Sequence, residues 1–223
     1  MIPEELRERL FSKRSADRRS AAKHIGKEQI TSLSEPLFTA YTKEKNDKRT
    51  WETQVEMIKA IGKLNYKPAF TDIETIVQRN LPHDTITIFA ARAYVQLTRT
   101  SLNDGKPVLQ LLIAGGLSVA TGALMALSTD RMVPDKDDCK DIIRACWDIN
   151  QHPDRIGHEY GLGDPRNYLA AACAGWDIQI TAGFLHHCIS TAFHTSLSGK
   201  RVENKALLDI CKRSLSGKYT KLD

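Results

Sequence analysis

Apolar residues recur along this chain every three or four positions, in blocks of about ten to sixteen residues joined by short polar connections, the signature of packed amphipathic helices. The spacing predicts helices over 4–13, 15–26, 33–45, 50–64, 69–79 and 85–98, and then over 107–114, 117–127 and 135–150. Local chemistry marks their ends. Pro3, Pro36 and Pro107 sit at helix starts, Asp84 follows His83 where a cap belongs, and Asn103-Asp104-Gly105 and Gly115-Gly116 read as turns. The pattern breaks over 151–163, a stretch with three glycines and no helical period, and resumes at Asp164-Pro165-Arg166. Two further helices are predicted over 177–195 and 203–215, and no segment alternates as a strand would.

The small-residue helices superpose on one another. From Arg18, the third, fourth and seventh positions onward are Ala21, Ala22 and Ile25; from Gln54 they are Met57, Ile58 and Ile61. Thr87, Leu117 and Arg166 begin three more copies, with Ala90 and Ala91, Ala120 and Thr121, and Leu169 and Ala170 at the first two offsets. Intervals of 36, 33 and 30 residues, and then one of 49, separate the copies. A period of this size points to stacked helical hairpins. The surplus in the last interval falls in the 151–163 loop; Gly26 reads as the stop of its helix, and Gly62 holds the matching place within the helix over 50–64.

Asp17-Arg18, the Ala-rich face after it, Gly26, and the second copy at Asp164-Pro165-Arg166 resemble the compact HEAT-like repeat family. The resemblance implies an all-α fold, a right-handed α-α superhelix or α-solenoid of about five hairpins, in a single domain spanning 1–223. Residues 1–14 would form an N-terminal cap, 15–195 the repeats with the 151–163 insertion, and 200–223 a C-terminal cap helix and tail. In that family the second helices line a concave binding surface. Carried onto this chain, the groove would present Arg19, Lys23, Glu52, Glu56, Lys59 and Lys63, followed by Arg92, Gln96 and Asn167. The loop would add His152, Asp154, Arg155, His158, Glu159 and Tyr160.

Composition narrows the class further. With 41% hydrophobic and 26% charged residues, no apolar run approaches the ~20 residues that span a bilayer, so no membrane partner is expected. The first residues lack a signal-peptide pattern, and the five cysteines form no C-x-x-C pair, which together predict reduced thiols and a cytoplasmic location. The net charge of +5 is uneven: residues 1–70 carry 15 Lys and Arg against 10 acids, residues 178–223 carry 7 against 3, and residues 130–177 carry 6 against 10.

Catalytic signatures are missing. There is no phosphate-binding glycine loop, dinucleotide turn or nucleophile elbow, and His186, His187 and His194 lack a metal-ligand framework, so no cofactor or metal is expected. The leading reading is a non-enzymatic interaction module, an adaptor, scaffold or immunity-type inhibitor, that binds another protein through its groove and loop. The alternative is a nucleic-acid-binding HEAT-like protein related to alkylbase DNA glycosylases. For that reading Trp51, Trp147 with Asp148, and Trp176 with Asp177 supply the residue types, while the acidic third quarter of the chain argues against an unbroken basic track.

Overall fold

The computed structural model describes residues 2–152, 163–195 and 201–222. Among them the chain forms twelve α-helices that pair in sequence. The pairs are α1 (Pro3–Leu10) with α2 (Ser15–Glu28), α3 (Ser34–Glu44) with α4 (Trp51–Lys63), and α5 (Phe70–Arg79) with α6 (Thr85–Thr98). They continue as α7 (Lys106–Ala114) with α8 (Leu117–Thr129), α9 (Lys136–Cys146) followed by α10 (Arg166–Ala172), and α11 (Ile178–Ser190) with α12 (Lys205–Leu215).

Two rows result. The even-numbered helices touch in order, each of α2, α4, α6, α8 and α10 packing on the next even-numbered neighbour through to α12. Odd-numbered helices cover one side of this row, with α1 on α3, α7 on α9 and α9 on α11. Burial follows the rows. In α5 only Ile73, Ile76 and Val77 are buried, one stripe of an amphipathic helix, whereas in α8 every residue from Leu117 to Ser128 is buried because neighbours surround it.

Close approach within the even row depends on missing side chains. A Cβ on Gly26 would lie 2.9 Å from both Cα and Cβ of Ala60, so α2 and α4 meet nearly backbone to backbone. A Cβ on Gly122 would overlap the Ile88 carbonyl oxygen and come within 2.8 Å of Ala91 Cβ. This corrects the reading of Gly26 as a helix stop, since α2 runs on to Glu28; Gly62 lies inside α4, as the predicted range placed it. Their role is contact between helices. Gly122→Ala is therefore expected to destabilise the fold by about 1–3 kcal/mol through overpacking, measured by chemical denaturation; an unchanged midpoint would contradict this account of the α6–α8 contact.

Capping explains where several helices begin. Side chains of Asp84, Asp135, Asp177 and Asn204 accept hydrogen bonds from backbone N–H groups in the first turns of α6, α9, α11 and α12. The Asp164-Pro165-Arg166 start works differently. Asp164 takes the backbone N–H of Arg166 at 3.1 Å and also grips its guanidinium, with Nε at 3.0 Å and Nη2 at 2.7 Å. Both side chains are buried, and the pair reaches Thr191 Oγ1 through Arg166 Nη1 at 2.8 Å and Asn204 Nδ2 at 3.2 Å. One ion pair thus fastens α10 to the segments around α11 and α12.

Other expectations shift. The helix predicted over 177–195 ends at Ser190, after which β1 (Phe193–Thr195) pairs antiparallel with β2 (Arg201–Glu203). Strands of three residues show no alternation long enough to read. Trp176 is buried, donating its indole N–H to the Met132 carbonyl at 2.9 Å, and Trp147, 37% exposed, stacks on His187 and also touches the ring of the buried Phe184. All five cysteines are free and buried. Among the described residues no helix is long and apolar enough to cross a membrane.

Candidate functional site

The C-terminal ends of α2, α4, α6 and α8, with the chain that follows α12, enclose a groove of about 1240 Å³. Helix C-termini carry partial negative charge, so basic side chains are favoured there. The sequence supplies them in excess. Lys23 and Lys27 come from α2, Lys59 and Lys63 from α4, and Arg92 and Arg99 from α6 and the residue after it; Arg131 follows α8, and Lys221 follows α12. Against these eight cations the described lining residues include one carboxylate, Asp130.

Asp130 is fully engaged. It accepts a hydrogen bond from Gln96 Nε2 at 2.8 Å and pairs with Arg99 Nη1 at 2.7 Å and Arg92 Nη2 at 3.4 Å. Its role is to hold two guanidiniums along the wall. Lys59 bonds Glu56 at 2.7 Å and lies 5.1 Å from the centre of the Phe89 ring. Lys63 makes no ion pair among the described residues. The wall strips part of its water, and Arg92 and Lys59 add like charge, so its ammonium is held below the ordinary lysine pKa. The sign for stability follows: the charged form burdens the fold below that lowered pKa, and the burden fades as pH rises from there toward the unfolded value.

Backbone geometry repeats along the floor. Gln29, Asn65 and Arg131, just past the ends of α2, α4 and α8, all take left-handed φ values near +50°, and all three line the groove. Glycine would adopt this conformation at no steric cost, whereas other residues pay about 1 kcal/mol or more. These positions instead keep side chains that face the groove. The far end is closed by residues 219–222: Arg131 lies 4.8 Å from the centre of the Tyr219 ring, and Arg213 donates to the Tyr219 carbonyl at 2.9 Å and Thr220 Oγ1 at 3.1 Å.

Of the residues chosen from sequence, Lys23, Lys59, Lys63, Arg92 and Gln96 come together here. Arg19, Glu52, Glu56 and Asn167 are not among the lining residues: Arg19 pairs with Glu52 away from the groove, and Asn167 sits in α10 with its Oδ1 buried. His152 ends the described part of its segment, and Asp154, Arg155, His158, Glu159 and Tyr160 lie outside the described residues. Sequence reasoning missed Lys27, Arg99, Asp130, Arg131 and the Tyr219 segment. Lys27 is one turn beyond Lys23 on the same face and was legible once α2 is carried past Gly26.

Most described acids of the third quarter stand away from the track, and Asp130 is the one that lines it. Asp135, Asp137, Asp138 and Asp141 belong to the start of α9, in the odd row, and none of them lines the groove. Nor do the tryptophan–aspartate pairs assemble there. Asp177 caps α11, its carboxyl held below the usual range by the Gln179 N–H and by Lys136, and Trp51 lines a separate cleft of about 440 Å³ at the opposite end of α4. Among the described residues no group of three or more His, Cys, Asp or Glu side chains is placed to hold a metal ion. Comparison of the chain with protein-family models, with curated proteins and with solved structures gives no match.

Proposed function

We propose that this chain is a HEAT-like α-solenoid, a right-handed superhelix whose even-numbered helices line a concave groove, and that it is a non-enzymatic module holding the backbone of a nucleic acid. The order of contacts along the even row supports the solenoid reading, with each hairpin leaning on its neighbours as repeat units do. The eight-to-one excess of cations among the described lining residues supports the ligand. Phosphate contacts supply most of the affinity in non-specific nucleic-acid binding, and a row of Lys and Arg is the surface that makes them.

A protein partner is the competing reading, and the lining weighs against it. Protein interfaces place apolar and aromatic side chains at their centre, whereas the groove offers Leu102, Leu222 and a Tyr219 already covered by Arg131. Base excision is also weakly supported, because Asp130, the one carboxylate among the described lining residues, is committed to two arginines and a glutamine. Fluorescence anisotropy with a labelled DNA duplex at low salt tests the choice. Binding is expected, and polyglutamate at equal charge concentration should displace the duplex poorly. No binding at low salt, or equal displacement by polyglutamate, would overturn the nucleic-acid reading.

A further inference from the structure

The cations of the groove are not evenly matched with acids, and where α4 meets α6 four of them crowd around two acids. Gly62 lets these helices close: a Cβ there would overlap Gln96 Oε1 and stand 3.0 Å from Ala93. The approach brings Lys59 and Lys63 beside Arg92 and Arg99. These four positive charges face two negative ones, Glu56 on Lys59 and Asp130 on the two arginines. Two charges remain uncompensated. Arg92 also keeps a buried Nε with no hydrogen-bond partner among the described residues, and buried donors of this kind are rare without a reason.

An unmatched pair of positive charges with a spare guanidinium donor suits an oxyanion that carries two charges and several acceptors. A phosphodiester carries one. A terminal phosphate carries about 1.5 to 2 at neutral pH and has three acceptor oxygens, and arginine binds such groups through paired N–H bonds. Resting on the reading of the groove as a nucleic-acid site, we propose that Lys63 and Arg92, with Lys59 beside them, form a subsite for a phosphomonoester dianion, so that the groove prefers a strand ending in a phosphate. Loss of water and then the like charges of Arg92 and Lys59 lower the pKa of Lys63; an arriving dianion offsets the like-charge part, which links binding to protonation of that lysine.

The experiment compares two single strands of identical sequence, one ending in a 5′-phosphate and one in a 5′-hydroxyl, by anisotropy with the wild-type chain and with Lys63→Gln. The phosphorylated strand should bind about tenfold more tightly to the wild type, and Lys63→Gln should bind both strands equally and still hold the backbone. Equal affinity for the two strands in the wild type overturns the subsite while leaving the groove reading intact. Failure of both strands to bind defeats the groove reading, and inorganic sulfate followed by NMR of the lysine and arginine side chains then decides the subsite alone: a saturable shift at Lys63 and Arg92 supports it, and no shift overturns it. Saturation by sulfate with no preference for the 5′-phosphate assigns the subsite to a free oxyanion and overturns the strand-end assignment.

Discussion

Replacing Arg166 with alanine is expected to cost about 3–5 kcal/mol of stability, because it leaves the carboxylate of Asp164 buried without its counter-charge. That is a large fraction of the roughly 5–15 kcal/mol that holds most domains folded. The side chains of Arg166 and Asp164 are 3% and 4% exposed, so water cannot take over the missing contacts. The loss is also distributed, since Arg166 Nη1 bonds the Thr191 hydroxyl and Asp164 accepts from Asn204. Arg166→Ala should loosen the attachment of α10, β2 and α12 together. Arg166→Lys keeps a charge but not the two-pronged geometry and should lie between wild type and alanine. Replacing both partners, as in Asp164→Leu with Arg166→Met, should cost less than Arg166→Ala alone, because no charge is then stranded. Urea midpoints at constant m-value measure these differences. A loss under about 1 kcal/mol for Arg166→Ala would show that the pair is peripheral to the fold.

The second large effect concerns binding. Lys23, Lys27 and Lys63 line the groove as exposed side chains, so reversing them costs the fold little. If each contact with phosphate contributes about 1 kcal/mol, the triple variant Lys23→Glu, Lys27→Glu, Lys63→Glu loses about 3 kcal/mol, close to a hundredfold in affinity, before repulsion is added. The same reversals on the outer row, at Lys136, Lys140 and Arg144 of or beside α9, remove as much positive charge without touching the groove. Comparing the two sets separates a local site from the overall charge of the chain. A similar loss from both would locate binding in the net charge and not in the groove.

Much of the architecture was legible before any coordinates because it follows from short-range chemistry. The stripe of Ile73, Ile76 and Val77, the cap at Asp84 and the small residues around Ala90 and Ala170 each specify a local geometry that packing leaves intact. The misread elements were those where one residue type serves two purposes. Glycine ends helices and also lets them touch, so Gly26 was placed at an end it does not form, and Lys27 was lost from the face it shares with Lys23. The short β1–β2 pair lacks enough residues to alternate. Charge was the least readable property. The acids of the third quarter looked like an interruption of a basic surface, yet α9 carries them into the other row, and which row a helix joins depends on contacts far apart in sequence. The purpose of Asp164 and Arg166 was half visible: the helix start could be read, but the burial that makes the pair a fastening point required Thr191 and Asn204 to be brought beside it.

The central claim is that the groove holds phosphates, and the salt dependence of binding tests it most directly. Asp130 and Glu56 already offset two of the eight lining charges, which leaves about six for phosphates and predicts that log K falls against log salt with a slope of roughly −4 to −5.5. The triple variant at Lys23, Lys27 and Lys63 should flatten that slope by about 2 to 3. Affinity that is indifferent to salt, or a slope unchanged in the triple variant, would contradict the account.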